Sequence, residues 1–203
     1  MATPTPRSVA ATFAALIVGF SAAATADEGR DKGDGDGFSA RLSGYNEVHF
    51  IAGTPALRGA ISTQARGSFR AVIDDRANTI HYELSYEGLE SDVTQAHIHF
   101  GQRHTVGGIV VWLCETDAAK HPVPALRRPV TPQCPQAGTV TGTIGPDKVL
   151  TATGQGIDAG EFDEVVRAIR AGRVYANVHS ATFGSGEIRG QLRGGDRGHH
   201  DRD

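Results

Sequence analysis

Short segments in which apolar and polar residues alternate recur along most of this chain, and glycine or proline separates many of them. Residues 38–42, 67–73 and 79–86 show the alternation clearly, and 74–78 supplies turn residues between the last two. This period of two is typical of β-strands with one buried face. Further strand candidates are residues 95–100, 108–114, 138–144, 173–179 and 187–193. The pattern predicts an all-β fold, an antiparallel Greek-key sandwich or barrel.

One segment has a helical period instead. Residues 159–170 place their apolar side chains at offsets of 0, 3, 4 and 7, namely Phe162, Val165, Val166 and Ile169. This spacing predicts a short helix whose apolar stripe packs on the sheet. Asp158 can cap its start, and Gly172 can end it.

The N-terminus has the three-part pattern of a secretory signal peptide. One basic residue, Arg7, precedes an apolar run that extends to Phe20, and small residues at 24–26 stand directly before Asp27. We therefore predict a signal peptide over residues 1–26 and a secreted or periplasmic protein. The alternative is a retained anchor, although the run is short and alanine-rich for a span of about 20 apolar residues.

The chain contains two cysteines, Cys114 and Cys134, and no CxxC pair. In an exported chain two cysteines favour a structural disulfide, which here would close a proline-rich loop. The alternative is a thiol pair used for metal binding or catalysis, but neither cysteine has a histidine beside it in the sequence.

Composition separates the rest of the chain into a linker, a folded domain and a tail. Residues 27–37 are charged and glycine-rich and are predicted to be a flexible linker. Residues 38–193 form one folded domain, and 194–203 form a disordered tail. The formal net charge of -3 gives no indication of a nucleic-acid partner, and no later segment is long and apolar enough for a transmembrane anchor.

Several motifs together resemble the CHRD domain, the module named after chordin, in its exported bacterial form. They are LSGYNE at 42–47, QAHIHFG at 95–101, GGIVV at 107–111, YANVHS at 175–180 and GEIRGQL at 186–192. The resemblance covers about residues 38–193. It implies a β-rich, immunoglobulin-like or barrel-like exported domain and no particular reaction. The cysteine-rich modules that accompany the domain in chordin are absent, so growth-factor binding is not implied.

Three histidines form a candidate metal site. His97 and His99 share one face of their predicted strand, and His179 lies on another strand. If the two strands are neighbours, the three imidazoles converge, and imidazole binds both copper and zinc. Glu187 is a candidate fourth ligand, or a carboxylate that orients a histidine. The arrangement is similar to that of copper-zinc superoxide dismutases, although their full ligand set is absent and no activity follows.

The same residues allow a purely structural interpretation. Histidines that bond to carboxylates and backbone carbonyls satisfy the rule that buried polar groups need partners. Asn177 and Arg189 would belong to this polar network, with Arg189 pairing to Glu47 or Glu83 across the sheet.

Two functions therefore remain open. The first is an exported, non-enzymatic binding or structural module of the cell envelope or extracellular space. The second is a copper- or zinc-binding protein that uses His97, His99 and His179 and has redox chemistry if the metal is copper. No catalytic residue is predicted, because Gly184-Ser185-Gly186 lacks the spacing of a nucleophile elbow.

Overall fold

A computed structural model describes residues 36–51, 57–116 and 131–195. The predicted signal peptide, most of the predicted linker and much of the loop between the cysteines lie outside the described residues. The first strand begins at Asp36 and therefore includes the last two residues of the predicted linker.

Eleven strands occur in the described residues, and nine of them form one antiparallel sheet in the order β7-β6-β9-β10-β1-β4-β5-β8, with β11 beside β1. The edge strands β7 and β8 contact each other, so the sheet nearly closes into a barrel. Strands β2 and β3 form a separate two-stranded sheet. The bounds are β1 Asp36–Ser43, β2 His49–Phe50, β3 Arg58–Gly59, β4 Arg66–Asp74, β5 Thr79–Glu87, β6 Val93–Phe100, β7 Gly108–Glu115, β8 Gly138–Ile144, β9 Val174–Ser180, β10 Ile188–Gln191 and β11 Arg193–Gly194. The predicted all-β barrel or sandwich with one short helix is confirmed.

Alternation along β4 and β5 builds the core as the sequence predicts. Phe69 and Ile73 of β4 are fully buried, and Ile80 and Leu84 of β5 lie directly opposite them. The residues that alternate with the buried ones on β4, Arg70 and Val72, face solvent. Each strand thus contributes one apolar face to the interior and one polar face to the surface.

The helix α1, Phe162–Arg170, buries the predicted stripe against the core. It begins at Phe162 rather than at the expected residue 159, and Asp158 is not its cap. The reason is a turn: Gly160 has a φ of 87°, and the backbone N–H of Asp158 donates to the Glu161 carboxylate. Gly172 ends the helix with a φ of 67°, as predicted. Among the described residues, no helix has the length and hydropathy required to cross a bilayer.

Strands β6 and β9 depart from simple alternation. All seven residues of β9 are buried, on both faces of the strand, and so are residues 96–99 of β6. Their inner face is apolar and includes Ile98 and Val178. Their outer face is polar and is covered by loops instead of solvent, which creates a buried polar layer outside the barrel.

The predicted disulfide between Cys114 and Cys134 is confirmed, with Cα atoms 5.0 Å apart. It joins the end of β7 to a segment that also bonds to that strand, since the N–H of Cys134 donates to the Glu115 carbonyl at 3.1 Å. Cys114 is fully buried in the core. The disulfide therefore holds the beginning of the segment that leads to β8 against the edge strand β7.

We predict that the Cys114→Ser/Cys134→Ser variant loses about 3 kcal/mol of unfolding free energy, because the 20-residue separation adds loop entropy to its unfolded state. Urea unfolding measures this difference. Reductant should lower the stability of the parent protein to that of the variant and leave the variant unchanged. Equal stability of the two proteins under oxidising conditions would contradict the prediction.

Candidate functional site

The pairing of three strands arranges the buried polar layer in rows. His97 of β6 lies opposite Asn177 of β9, which lies opposite Arg189 of β10. Residues directly opposite in an antiparallel sheet project from the same face. In the adjacent row, His99 lies opposite Tyr175. The sheet therefore holds these side chains together on the outer face of the barrel.

The structure brings the three predicted histidines into one cluster. His97 is fully buried, and His99 and His179 are 8% and 5% exposed. The His97 ring lies 4.8 Å from the His179 ring and 5.5 Å from the His99 ring. One ring nitrogen from each residue lies within 4.8 Å of the other two. Nitrogens that share a zinc ion at about 2 Å lie roughly 3 to 4 Å apart, so a shift of about 1 Å would bring these three together around an ion.

Backbone carbonyls orient two of the three rings. Nδ1 of His99 donates to the Gly107 carbonyl at 2.9 Å, and Nδ1 of His179 donates to the Gly184 carbonyl at 3.0 Å. Both Nε2 atoms are buried and neither meets the geometry of a hydrogen bond with a described residue, although the side chain of Asn177 lies near His99 and acts on its pKa. In a neutral imidazole whose Nδ1 carries the proton, Nε2 holds a lone pair. Two lone pairs are thus held in the interior of the cluster.

Burial keeps these imidazoles neutral. It lowers the pKa of His99 to about 4, against the opposing effect of the hydrogen bond to Gly107. Burial likewise lowers the pKa of His179, and the bond to Gly184 opposes the shift. Neutral imidazole is the form that binds a metal ion, so the cluster is ready to coordinate one at neutral pH.

Gly107 is a close-approach position in the loop that covers the site. A Cβ at this residue would lie 1.8 Å from the Phe100 carbonyl oxygen, so only glycine fits here. The hydroxyl of Tyr175 accepts from the Gly107 N–H at 3.2 Å, while the Gly107 carbonyl accepts from His99. The loop and the histidine are therefore fixed by the same residue.

Glu187 is fully buried, but its Oε1 is directed elsewhere. This oxygen accepts from the Thr63 hydroxyl at 2.7 Å and from the Glu90 N–H at 3.0 Å. Among the described residues, the group of side chains placed to hold an ion consists of the three histidines and does not include Glu187. Through these contacts Glu187, which directly precedes β10, joins that strand to two loops.

Asn177 and Glu47 meet beside Gly186. A Cβ on Gly186 would lie 2.6 Å from Oε2 of Glu47 and 2.8 Å from Nδ2 of Asn177, so the glycine makes room for both groups. Burial raises the pKa of Glu47, although the N–H of Val48 and the charge of Arg189 act in the opposite direction. A carboxyl group with a raised pKa can donate as well as accept a hydrogen bond.

Arg189 donates its hydrogen bonds to loop carbonyls, and its charge also acts on the buried carboxyl group of Glu47, one of its two predicted partners. Its guanidinium donates to Thr105 O at 2.7 Å and to Gln102 O at 3.0 Å. It also stacks on Tyr175, with its central carbon 3.3 Å from the ring centroid. The suggested pairing with Glu83 is wrong, because Glu83 lies on β5 opposite Arg70, which it faces at 3.9 Å. Arg189 instead ties the covering loop to β10.

Two aromatic residues of the site were not anticipated. Tyr175 stacks on His99 with centroids 4.8 Å apart and planes within 2°, between that ring and Arg189. Its position two residues before Asn177 and four before His179 on one strand signals a shared face. Trp112 is half-buried on the outer face with its ring 4.1 Å from that of His97. Residue type alone predicts burial for tryptophan and not the face on which it lies.

We predict that the metal-free protein loses stability as the pH falls from 6.5 towards 4. The unfolded state gains a proton on His99 near pH 6.5, whereas the folded state resists protonation until about pH 4. Stability from this residue is therefore full above the unfolded pKa and lost below it, by up to about 3 kcal/mol.

Urea unfolding in the presence of a chelator at several pH values measures this slope. The His99→Ala variant should show a shallower loss than the parent protein. A His81→Ala variant, changed at an exposed histidine of β5, should keep the parent slope. Identical slopes for all three proteins would refute the assignment.

Comparison with known protein families matches residues 38–192 to the CHRD domain. No curated protein and no solved structure matches the chain. The matched region contains the whole histidine cluster and nearly every strand of the barrel. Because the match extends over most of its length, the chain belongs to the CHRD domain family.

Proposed function

We propose that this protein is an exported CHRD-domain binding module whose ligand is a transition-metal ion, copper or zinc, held by His97, His99 and His179. The observation that carries the proposal is the pair of buried Nε2 atoms of His99 and His179, which have no hydrogen-bond partner among the described residues. A ring nitrogen of His97 completes a set of three within 4.8 Å.

The alternative interpretation, a purely structural polar network, accounts for the buried imidazole nitrogens less well than metal binding does. It requires the histidines to be saturated by protein partners, because a buried acceptor without a partner costs about 1 to 3 kcal/mol. His99 and His179 each satisfy one nitrogen with a backbone carbonyl and leave the other without a partner in the described residues. A carbonyl bond on Nδ1 with a bare Nε2 is the arrangement found in metal-binding histidines.

Three imidazoles leave coordination positions open. A zinc ion with three protein ligands keeps a fourth position for water or another ligand. Copper would add one-electron chemistry at the same site. The hydrogen bonds described for His99 and His179 go to backbone carbonyls, so we propose binding and no particular reaction.

Metal content tests the proposal directly. Protein purified without a histidine tag, loaded with copper or zinc and desalted, should retain about one ion per chain. The His97→Ala/His99→Ala and His179→Gln variants should retain little, because each removes at least one of the three ligands. Elemental analysis gives the stoichiometry, and the His81→Ala variant provides a control with an exposed histidine changed.

Thermal stability supplies a second measurement. Free metal at 100 times the dissociation constant should stabilise the parent protein by about 2.7 kcal/mol and leave the His179→Gln variant unchanged. Equal and negligible copper and zinc in the parent protein and the double variant would refute the site. Equal retention by all the proteins would place the metal elsewhere.

Export is the second part of the proposal. Its supports are the signal-like pattern of residues 1–26, the disulfide and membership of a family of extracellular type. We predict that the chain expressed in a bacterium is cleaved after Ala26, since residues 24–26 have the small side chains that signal peptidase requires. Mass spectrometry of the protein from each cell fraction measures the new terminus. Intact protein that keeps residues 1–26 in the cytoplasm would contradict export.

A further inference from the structure

A basic groove lies on the outer surface beside the histidine site. It consists of two adjoining cavities, of about 680 Å³ and 420 Å³, that share Arg103, Gln191 and Arg193 in their walls. Seven arginines line the two cavities: Arg41, Arg70, Arg103, Arg170, Arg173, Arg189 and Arg193. No carboxylate of the described residues lines either cavity. This concentration is notable in a chain whose net charge is -3.

Most of these arginines are not neutralised. Arg170 pairs with Asp36 and Asp75, and Arg70 lies 3.9 Å from Glu83. The remaining exposed guanidiniums form no ion pair with any residue that the structure describes; they belong to Arg41, Arg103, Arg173 and Arg193. Like charges this close together repel each other, so an anionic ligand would relieve the repulsion.

Strand register spaces the charges along the groove. Ser39 of β1 lies opposite Arg193 of β11 on one side and Arg70 of β4 on the other. Arg41, two residues along β1, projects from the same face opposite Ser68. Guanidinium groups thus alternate with serine hydroxyl groups along the groove. Guanidinium groups bind carboxylate and sulfate oxygens in pairs, and the hydroxyls can bond to neutral polar groups between the charges.

The side chains that line the groove suit a sugar chain better than a nucleic acid. Grooves that bind single-stranded nucleic acids present aromatic faces on which bases stack. Of the two rings in these walls, Phe69 is fully buried and offers no such face, so the exposed imidazole of His104 is the single ring that a base could stack on among the described residues. The amide of Asn46 joins the serine hydroxyls as a partner for sugar hydroxyl groups. Two cavities in series also suit an extended chain better than a single small anion.

We propose that this groove binds an acidic oligosaccharide, through its carboxylate or sulfate groups. The proposal does not depend on the metal site, because none of the three histidines lines the groove. Arg41, Arg103 and Arg193 hold the charged groups, while Ser39 and Ser68 contact the sugar hydroxyls.

The test is a calorimetric titration of the full-length protein, in chelator, with a hexasaccharide of galacturonic acid. We expect binding that weakens as salt rises and no binding of the neutral hexasaccharide of glucose. The Arg41→Gln/Arg193→Gln variant should bind at least tenfold more weakly. The matched control is Arg66→Gln/Arg76→Gln, which removes the same charge from exposed positions outside the groove. This control should bind as the parent protein does.

Several outcomes would overturn the proposal. They are absence of binding to the acidic hexasaccharide, equal weakening by the two double variants, and tighter binding of a single-stranded DNA hexamer than of the hexasaccharide. Full competition by stoichiometric inorganic phosphate would show a single-ion site and would also overturn it.

All four arginines changed here are exposed, so the variants should fold, and an unchanged melting temperature verifies this. Should the groove variant unfold, Arg103→Gln, which changes an exposed residue shared by both cavities, replaces it with the same expected loss.

Discussion

The burial of β9 on both faces is the constraint on which the rest of the structure depends. A strand in a barrel ordinarily leaves one face to water, but here the outer faces of β9 and of its neighbours β6 and β10 carry imidazole, amide and guanidinium groups under a covering loop. Polar groups withdrawn from water must find partners. The loop carbonyls supply them: Gly107 accepts from His99, and Thr105 accepts from Arg189. The loop is held in place by the groups that it buries.

Period-two alternation and the turn residues between segments predicted eight of the eleven described strands and the fold class, because most strands have one apolar face. The two-residue strands β2, β3 and β11 were missed because they are too short to show a period. The alternation also placed His97 and His99 on the same side of β6. The pairing of β6 with β9 could not be derived, since β7, β8 and α1 intervene in the sequence, and only the closed sheet makes the two strands neighbours. The start of α1 was misjudged because a local turn at Gly160 overrides an otherwise helical pattern.

The partners of the site residues were the least predictable part. Arg189 was expected to pair with Glu47 or Glu83. Its charge does act on Glu47, but its hydrogen bonds go to two carbonyls of a loop in which the sequence shows no periodic pattern. Such contacts depend on how a loop folds back over a strand, and sequence spacing does not encode this path. The same holds for Tyr175, whose motif position was evident but whose stacking between a histidine and an arginine was not.

The order of strands in the sheet also bears on how the protein assembles. The histidines come from strands that are adjacent in space and distant along the chain, so their contact requires a large loop to close. Contacts of this kind form late and slowly in folding. The cluster therefore exists only after the chain has been synthesised beyond β9. Any ligand that needs all three imidazoles must be acquired by the finished barrel, in the compartment where folding is completed.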